Sequence, residues 1–284
     1  MNSLRSILLL SFTTGLAQAH SHNDGAQKPM AASSDYTCEH PAYQSHIVSK
    51  SPLVIYLANF ITPEERAHLQ EITQVLHPCK SSFRLTIFNS QDTFSHSAVA
   101  DSSGAQGLRQ TRTSQSTNVP RDAVVRCIEE RALLFQGFDV PRTHLEPLQL
   151  VKYGPGERYH FHTDWYTNSA HATSALGGNR LSSFFAYVAA SDDITGGGTN
   201  FPMVRAPHDE RWCEFVDCDE PWENGVTFRP VVGNAVFWQN LHEDGTGDQA
   251  TLHAGLPVTS GSKIGMNIWT RQGPLSEDIR GPDV

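Results

Sequence analysis

Short apolar runs alternate with polar ones along most of the chain, and the period of each run predicts its element. Residues 51–60 are apolar and β-branched, which predicts a strand. Thr62-Pro63-Glu64-Glu65 has the form of a helix start: a hydroxyl cap, a proline in the first turn and Glu65 placed to reach back as a capping box. Leu69, Ile72 and Leu76 recur at helical spacing, so this helix is expected to run to about Leu76. A second helix is expected to open at Pro120, to bury Val124, Ile128 and Phe135 on one face, and to stop near Gly137. Between the two, residues 80–118 are rich in Ser, Thr and Gln with short apolar pieces, which predicts strands and a mobile loop of the kind that covers a substrate groove.

From Leu145 onward strand signals dominate: 148–153, 159–165, 181–189, 225–230, 234–237, 251–254 and 263–269. Short strands split by Gly and Pro turns, behind two bracing helices, predict a mostly β chain with flanking helices (α+β) and a double-stranded β-helix, or jelly-roll, core. Residues 203–224 read as a charged insertion, and the chain holds neither repeats nor heptads.

The N-terminus breaks the pattern. Arg5 precedes an apolar run at 7–16, and Ala17-Gln18-Ala19 follows as a small-x-small cleavage site. Residues 1–19 therefore read as a signal peptide for the secretory pathway, leading to the endoplasmic reticulum lumen or to secretion. About ten apolar residues are too few to span a bilayer comfortably, which leaves an uncleaved signal anchor as the alternative. No other stretch approaches transmembrane length. Residues 20–50 are polar and read as a flexible lead-in, and 51–284 as the folded domain.

With 38% hydrophobic and 18% charged residues in 284, the chain has the composition of a soluble globular protein. A net charge of −9 argues against nucleic acid as a partner, because phosphate contacts need a basic surface. Cys213 and Cys218 are close enough to close a small loop. Cys38 with Cys79 is the expected second bridge, leaving Cys127 unpaired on a helix; five reduced cysteines remain the alternative. Zinc ligation is not expected, since nothing resembles paired Cys-x-x-Cys spacing.

The candidate chemistry sits in Tyr153–Asp164. In a strand, residues two apart share a face, so His162 and Asp164 would stand side by side as metal ligands. His-x-Asp alone recurs by chance in many chains. A second stretch raises its significance: about ninety residues on, His253 opens a segment with a turn at Pro257 and Ser260-Gly261, and Lys263 starts the next strand. A hairpin there would bring His253 to the metal and aim Lys263 into the same cavity. Two histidines and a carboxylate leave open positions suited to non-haem Fe(II) oxygen chemistry. A metal beside a fixed cation suits a dicarboxylate, one end chelating and the other paired.

Tyr153-x-Pro155-Gly156-x-x-Tyr159-x-x-His162-x-Asp164, Gly197-Gly198-x-x-Phe201-Pro202, and His253 with Lys263 ten residues later resemble the prolyl 4-hydroxylase branch of the 2-oxoglutarate/Fe(II) dioxygenases. Arg112-Thr113-Ser114 and Trp269, six residues past the lysine, add to the resemblance, which covers roughly residues 52–271. It implies that His162, Asp164 and His253 hold Fe(II), and that Lys263, Tyr153 and Thr199 hold 2-oxoglutarate. Arg112, Ser114 and Trp269 would then lie on the substrate side. His160, on the same strand face as His162, is expected at the cavity rim. The implied reaction consumes O2 and 2-oxoglutarate, is supported by ascorbate, and hydroxylates an unactivated C–H bond: peptidyl proline at C4 in a secretory peptide or protein. Two other readings stay open, a tailoring dioxygenase for a small metabolite and a non-catalytic metal- or peptide-binding module. A separate peptide-binding domain, as in collagen-type members, is not apparent, and the 203–224 insertion is an added departure; both weigh against a long repetitive substrate.

Overall fold

The computed structural model describes residues 36–76, 90–97, 99–100, 106–107, 112–137, 139–207 and 209–281. The expected signal peptide, the first part of the lead-in, Cys79 and much of the Ser/Thr/Gln-rich stretch lie outside the described residues. In chain order the main strands are β1 (Gln44–Lys50), β2 (Leu53–Ala58), β3 (Ser95–His96), β4 (Gln115–Asn118), β5 (Gln149–Tyr153), β6 (Tyr159–His162), β7 (Arg180–Ala190), β8 (Thr199–Phe201), β9 (Val226–Phe228), β10 (Ala235–Gln239), β11 (His253–Gly255) and β12 (Lys263–Arg271). The helices are α1 (Pro63–Glu71), α2 (Ala123–Gln136) and a short α3 (Glu277–Arg280).

An eight-stranded antiparallel sheet runs β1-β2-β10-β7-β12-β5-β4-β3, and a four-stranded one runs β6-β11-β8-β9. The central strand β7 explains how they stack. Successive side chains of a strand face opposite ways. Phe184, Ala186 and Val188 pack on one side with Leu69 of α1 and Val124, Ile128 and Ala132 of α2. Phe185 and Tyr187 face the other side and meet Phe201, Val226 and Phe228 of the smaller sheet. Burying one such aromatic stabilises by about 1.5–3 kcal/mol, so both interfaces are strongly specified. The result is the expected jelly roll with helices braced against its larger sheet.

The ends of α1 and α2 follow their caps. Thr62 Oγ1 accepts from Glu65 N at 3.2 Å and Glu65 Oε2 accepts from Thr62 N at 2.9 Å. The same Glu65 carboxylate takes both Nη atoms of buried Arg131 at 2.7 Å, tying α1 to α2. Asp122 caps α2, which therefore opens at Ala123 rather than at Pro120, and Gly137 ends it as expected.

The structure corrects three further expectations. Helix α1 stops at Glu71 rather than near Leu76: Thr73 Oγ1 closes onto Gln70 O at 2.8 Å, and residues 74–76 form a strand with 90–92. β-branched Val75, at the centre of that strand, favours the extended form. The lead-in ends earlier than 50, because β1 pairs with β2 as an edge strand. Cys38 bonds Cys127, not Cys79, since the chain before β1 runs back over α2. Cys213–Cys218 forms as expected, and the insertion that carries it packs Phe215 flat on Tyr56 with ring centroids 4.4 Å apart. Among the described residues no helix is long and apolar enough to cross a membrane.

Candidate metal and co-substrate site

His162 ends β6, His253 begins β11, and the two are direct cross-strand partners in the smaller sheet. Their ring centroids lie 4.2 Å apart. Asp164 sits just past the end of β6, so strand alternation alone does not aim it. Its Oδ1 is 3.6 Å from His162 Nε2 and 3.8 Å from His253 Nε2. The three ligand atoms lie within 4.8 Å of one another.

Each imidazole is oriented by the backbone. His162 Nδ1 stands 2.8 Å from His160 O, and His253 Nδ1 2.9 Å from Thr251 O. A carbonyl can only accept, so both Nδ1 atoms carry the proton and both Nε2 lone pairs face Asp164. The carboxylate is divided in the same sense. Its Oδ2 accepts from Ser183 Oγ at 2.7 Å and from Trp269 Nε1 at 2.9 Å, which leaves Oδ1 to the imidazoles. Asn240 Nδ2 in turn donates to Ser183 Oγ at 2.9 Å.

Burial, then the neighbouring His253, pushes His162 down to about 3, the neutral form a metal requires. Burial alone would raise Asp164, but His253, His162 and Arg180 outweigh it and hold the carboxyl at about 2. Two neutral nitrogens and an ionised oxygen on one side of a common point fit Fe(II) with coordination positions left open.

Behind the triad is an inner pocket of about 30 Å³, bordered by Tyr153, Thr199, Trp238 and Asn267. Lys263 does not itself border it: fully buried and paired across the larger sheet with Tyr153, it stands behind the Tyr153 and Phe185 rings that do. Its ammonium donates to the Gly197 carbonyl and lies over the Tyr153 ring, 4.7 Å from the centroid. Burial is the sole cause that lowers it to about 7, and no acidic side chain is among these contacts. Gly197 adopts φ +68° to turn its carbonyl inward, a conformation that favours glycine. Thr199 Oγ1 accepts from Tyr187 Oη at 2.8 Å, and burial pushes the Tyr153 phenol up to about 12.

The segment from His253 to Lys263 is not the expected hairpin. Leu256 N donates to Gly198 O and Gly197 N to Pro257 O, both at 2.9 Å, so the triple-glycine turn takes this segment's hydrogen bonds. β11 stays in the smaller sheet and β12 in the larger. His253 thus borders the pocket from the smaller sheet, and Lys263 stands behind its wall in the larger one.

Outside the triad a cavity of about 720 Å³ opens, bordered by Arg112, Tyr159, Arg180 and Trp269. The Arg112 guanidinium lies 4.6 Å over Tyr159, whose ring stacks on His162 at 3.5 Å. Ser114, expected on the substrate side, borders neither cavity; just before β4, it is fully buried and its Oγ accepts from Arg112 Nε at 3.2 Å, behind that arginine. His160 is exposed and borders neither cavity; what it contributes is the carbonyl that orients His162.

Sequence reasoning missed Ser183, Asn240, Arg180 and Glu146. Arg180 makes a two-pronged pair with Glu146, both contacts at 2.8 Å, and stacks 3.6 Å over the Trp269 ring. Two arginines hold the Glu146 carboxyl below its ordinary range despite burial. The available signal was polar residues at the start of an otherwise apolar strand: Arg180, Ser182 and Ser183 precede the run 184–190.

A model of the 2OG-Fe(II) oxygenase superfamily matches residues 148–271. The chain is 29% identical to prolyl 4-hydroxylase 1 of Arabidopsis thaliana over 231 residues, covering 80% of this chain and 71% of that protein. It is also 29% identical to the prolyl 4-hydroxylase subunit alpha-3 of Mus musculus over 255 residues, 88% of this chain and 39% of that one. Among solved structures, a viral collagen prolyl hydroxylase of Paramecium Bursaria Chlorella virus-1 in complex with 2OG aligns with a TM-score of 0.42 at 25% identity, over 56% of this chain and 79% of the other.

Proposed function

We infer that this chain, a 2-oxoglutarate/Fe(II)-dependent oxygenase of the prolyl 4-hydroxylase-like branch, hydroxylates peptidyl proline at C4 in a peptide or protein of the secretory route. The observation that carries the reading is a triad on the outer side of one pocket with a buried ammonium close behind the Tyr153 and Phe185 rings that border it. In this reading His162, Asp164 and His253 hold the iron. Lys263 pairs with the distal carboxylate of 2-oxoglutarate, beside Tyr153 and Thr199. When bound, the iron supplies O2 activation coupled to conversion of 2-oxoglutarate into succinate and CO2.

The chain's own residues do the rest. Ser183 and Trp269 fix Asp164 so that one oxygen is presented to the ion, and the two backbone carbonyls do the same for the imidazoles. Arg112 and Tyr159 close one side of the outer cavity, while Arg180 clamps Trp269 on the other, framing a proline ring brought to the triad. The breadth of that cavity favours a peptide over a small metabolite. Purified protein with Fe(II), ascorbate and 2-oxoglutarate should release succinate faster when a proline-rich peptide is added, with 4-hydroxyproline found in the product by mass spectrometry. Succinate release that no peptide alters would favour a small-metabolite substrate, and iron binding without turnover a non-catalytic module.

A further inference from the structure

Asp164 lies beyond the end of β6, so no strand aims it, and the residue that follows it supplies an anchor. The Trp165 indole reaches the loop between β10 and β11, where its Nε1 donates to Asp248 O at 3.1 Å. Its ring approaches Gly247 so closely that a Cβ there would stand 2.2 Å from the nearest ring carbon. Gly245, two residues earlier, adopts φ +82°, so the turn itself accounts for that glycine. Gly247 has no positive φ, and the approach of the indole accounts for it instead. Asp248 is where the connections of this loop meet. Its carbonyl also accepts from Thr251 Oγ1 at 2.7 Å and Thr251 N at 3.2 Å. Its Oδ1 accepts from Ala250 N at 2.8 Å and caps the short turn Gln249–Thr251. Thr251 is fully buried, and its own carbonyl is the one that orients His253. On the other side, Asp248 N donates to Asn240 O at 2.8 Å, and Asn240 reaches Asp164 Oδ2 through Ser183. The loop is also pinned to itself: Leu241 bridges Gly247, and His242 N donates to Thr246 O at 2.8 Å.

We propose that Gly247 and Asp248 are positioning residues for the metal ligands: through Trp165 they set Asp164, and through Thr251 they set His253. One loop thereby fixes the separation of a carboxylate and an imidazole that come from distant segments of the chain. The proposal rests on the reading of His162, Asp164 and His253 as the iron site. Neither Gly247 nor Asp248 borders the inner pocket or the outer cavity, so each acts only through its neighbours. Metal–ligand distances must hold within about 0.2 Å. A methyl group that displaces the Trp165 ring therefore weakens metal binding without removing any ligand, as loss of other groups behind a ligand does.

The test is anaerobic titration of the metal-free full chain with Fe(II), and with Co(II) followed by its visible absorption. Gly247→Ala should weaken binding of both metals at least about tenfold and shift the Co(II) bands. Trp165→Leu loses the anchor and should weaken binding as well. The Gly247→Ala/Trp165→Leu double variant should bind no more weakly than Trp165→Leu alone, because the added methyl then meets no ring. Asp248→Ala uncaps the turn behind Thr251 and should weaken binding about tenfold, while Asp248→Asn keeps the Oδ1 acceptor and should return to within about threefold of the parent. A loop that only stabilised the fold would lower the melting temperature and leave the metal constants and the Co(II) spectrum of the folded protein as they were. Folded Gly247→Ala and Asp248→Ala proteins that bind both metals within about twofold of the parent overturn the proposal and leave the iron site standing. Additive losses in the double variant overturn the route through Trp165. Should Gly247→Ala not fold, the contrast between Asp248→Ala and Asp248→Asn decides: equal constants for the two overturn the proposal. Failure of the parent chain to bind either metal removes the iron-site reading itself, and the role of this loop with it.

Discussion

Ser183→Ala asks whether Asp164 is held in place by its neighbours or merely lies near them. Ser183 is fully buried, and its hydroxyl is one of two donors on Asp164 Oδ2, the other being Trp269 Nε1. Alanine removes the 2.7 Å bond and also strands Asn240 Nδ2, which donates to that hydroxyl at 2.9 Å. A hydrogen bond to a charged group contributes about 1.5–3 kcal/mol. At about 1.4 kcal/mol per tenfold, metal binding should weaken by roughly 10- to 100-fold, the range found when groups behind a metal ligand are removed. Anaerobic titration of metal-free protein with Fe(II), or with Co(II) followed by its visible absorption, gives the constant directly and needs no turnover. Ser183→Thr retains the hydroxyl and should recover most of the affinity. The reasoning fails if Ser183→Ala binds iron within about twofold of the parent. Trp269→Phe removes the second donor, and because both act on one oxygen the double variant should depart from additivity.

Three further outcomes are expected. Lys263→Ala leaves the distal carboxylate of 2-oxoglutarate buried without a partner, at a cost of about 3–5 kcal/mol; calorimetry should show at least about 100-fold weaker 2-oxoglutarate binding with iron affinity retained. Because burial lowers Lys263 to about 7, its ammonium is present in the free protein below that pH and lost above it. Binding of 2-oxoglutarate should then take up a proton at alkaline pH and weaken by up to about tenfold per pH unit above 7; calorimetry at pH 8 in buffers of different ionisation heat would contradict this if no proton were taken up. Cys127→Ser opens a link between residues 89 apart in sequence, for which chain entropy predicts a loss of about 4.6 kcal/mol. Its melting temperature should fall well below the parent's, and an unchanged midpoint would count against that bridge.

Much of the fold was legible locally. Helix α2 buries Val124 and Ile128 and stops at Gly137 as its spacing and glycine predict, though it opens at Ala123 rather than Pro120, and the strand predictions from 148 onward each overlap an observed strand. The order of the metal and lysine motifs was also legible, since each is a short string whose meaning depends on neighbours in the chain. The errors fall where a partner comes from far away. The end of α1 depended on a strand, 90–92, that captures residues 74–76. The turn after His253 depended on Gly197 and Gly198 taking its hydrogen bonds.

The chain by itself determined which residues could ligate a metal, which face of each strand would be apolar, and where the helices would be capped, because periodicity and capping act over a few residues. Only the tertiary structure decided that His253 and Lys263 approach one pocket from opposite sheets, the lysine from behind Tyr153 and Phe185, that Cys38 bonds Cys127, and that Ser183 and Trp269 share one oxygen of Asp164. Those outcomes follow from how two twisted sheets close on each other, and contacts between residues 19 to 105 positions apart leave no trace in local spacing.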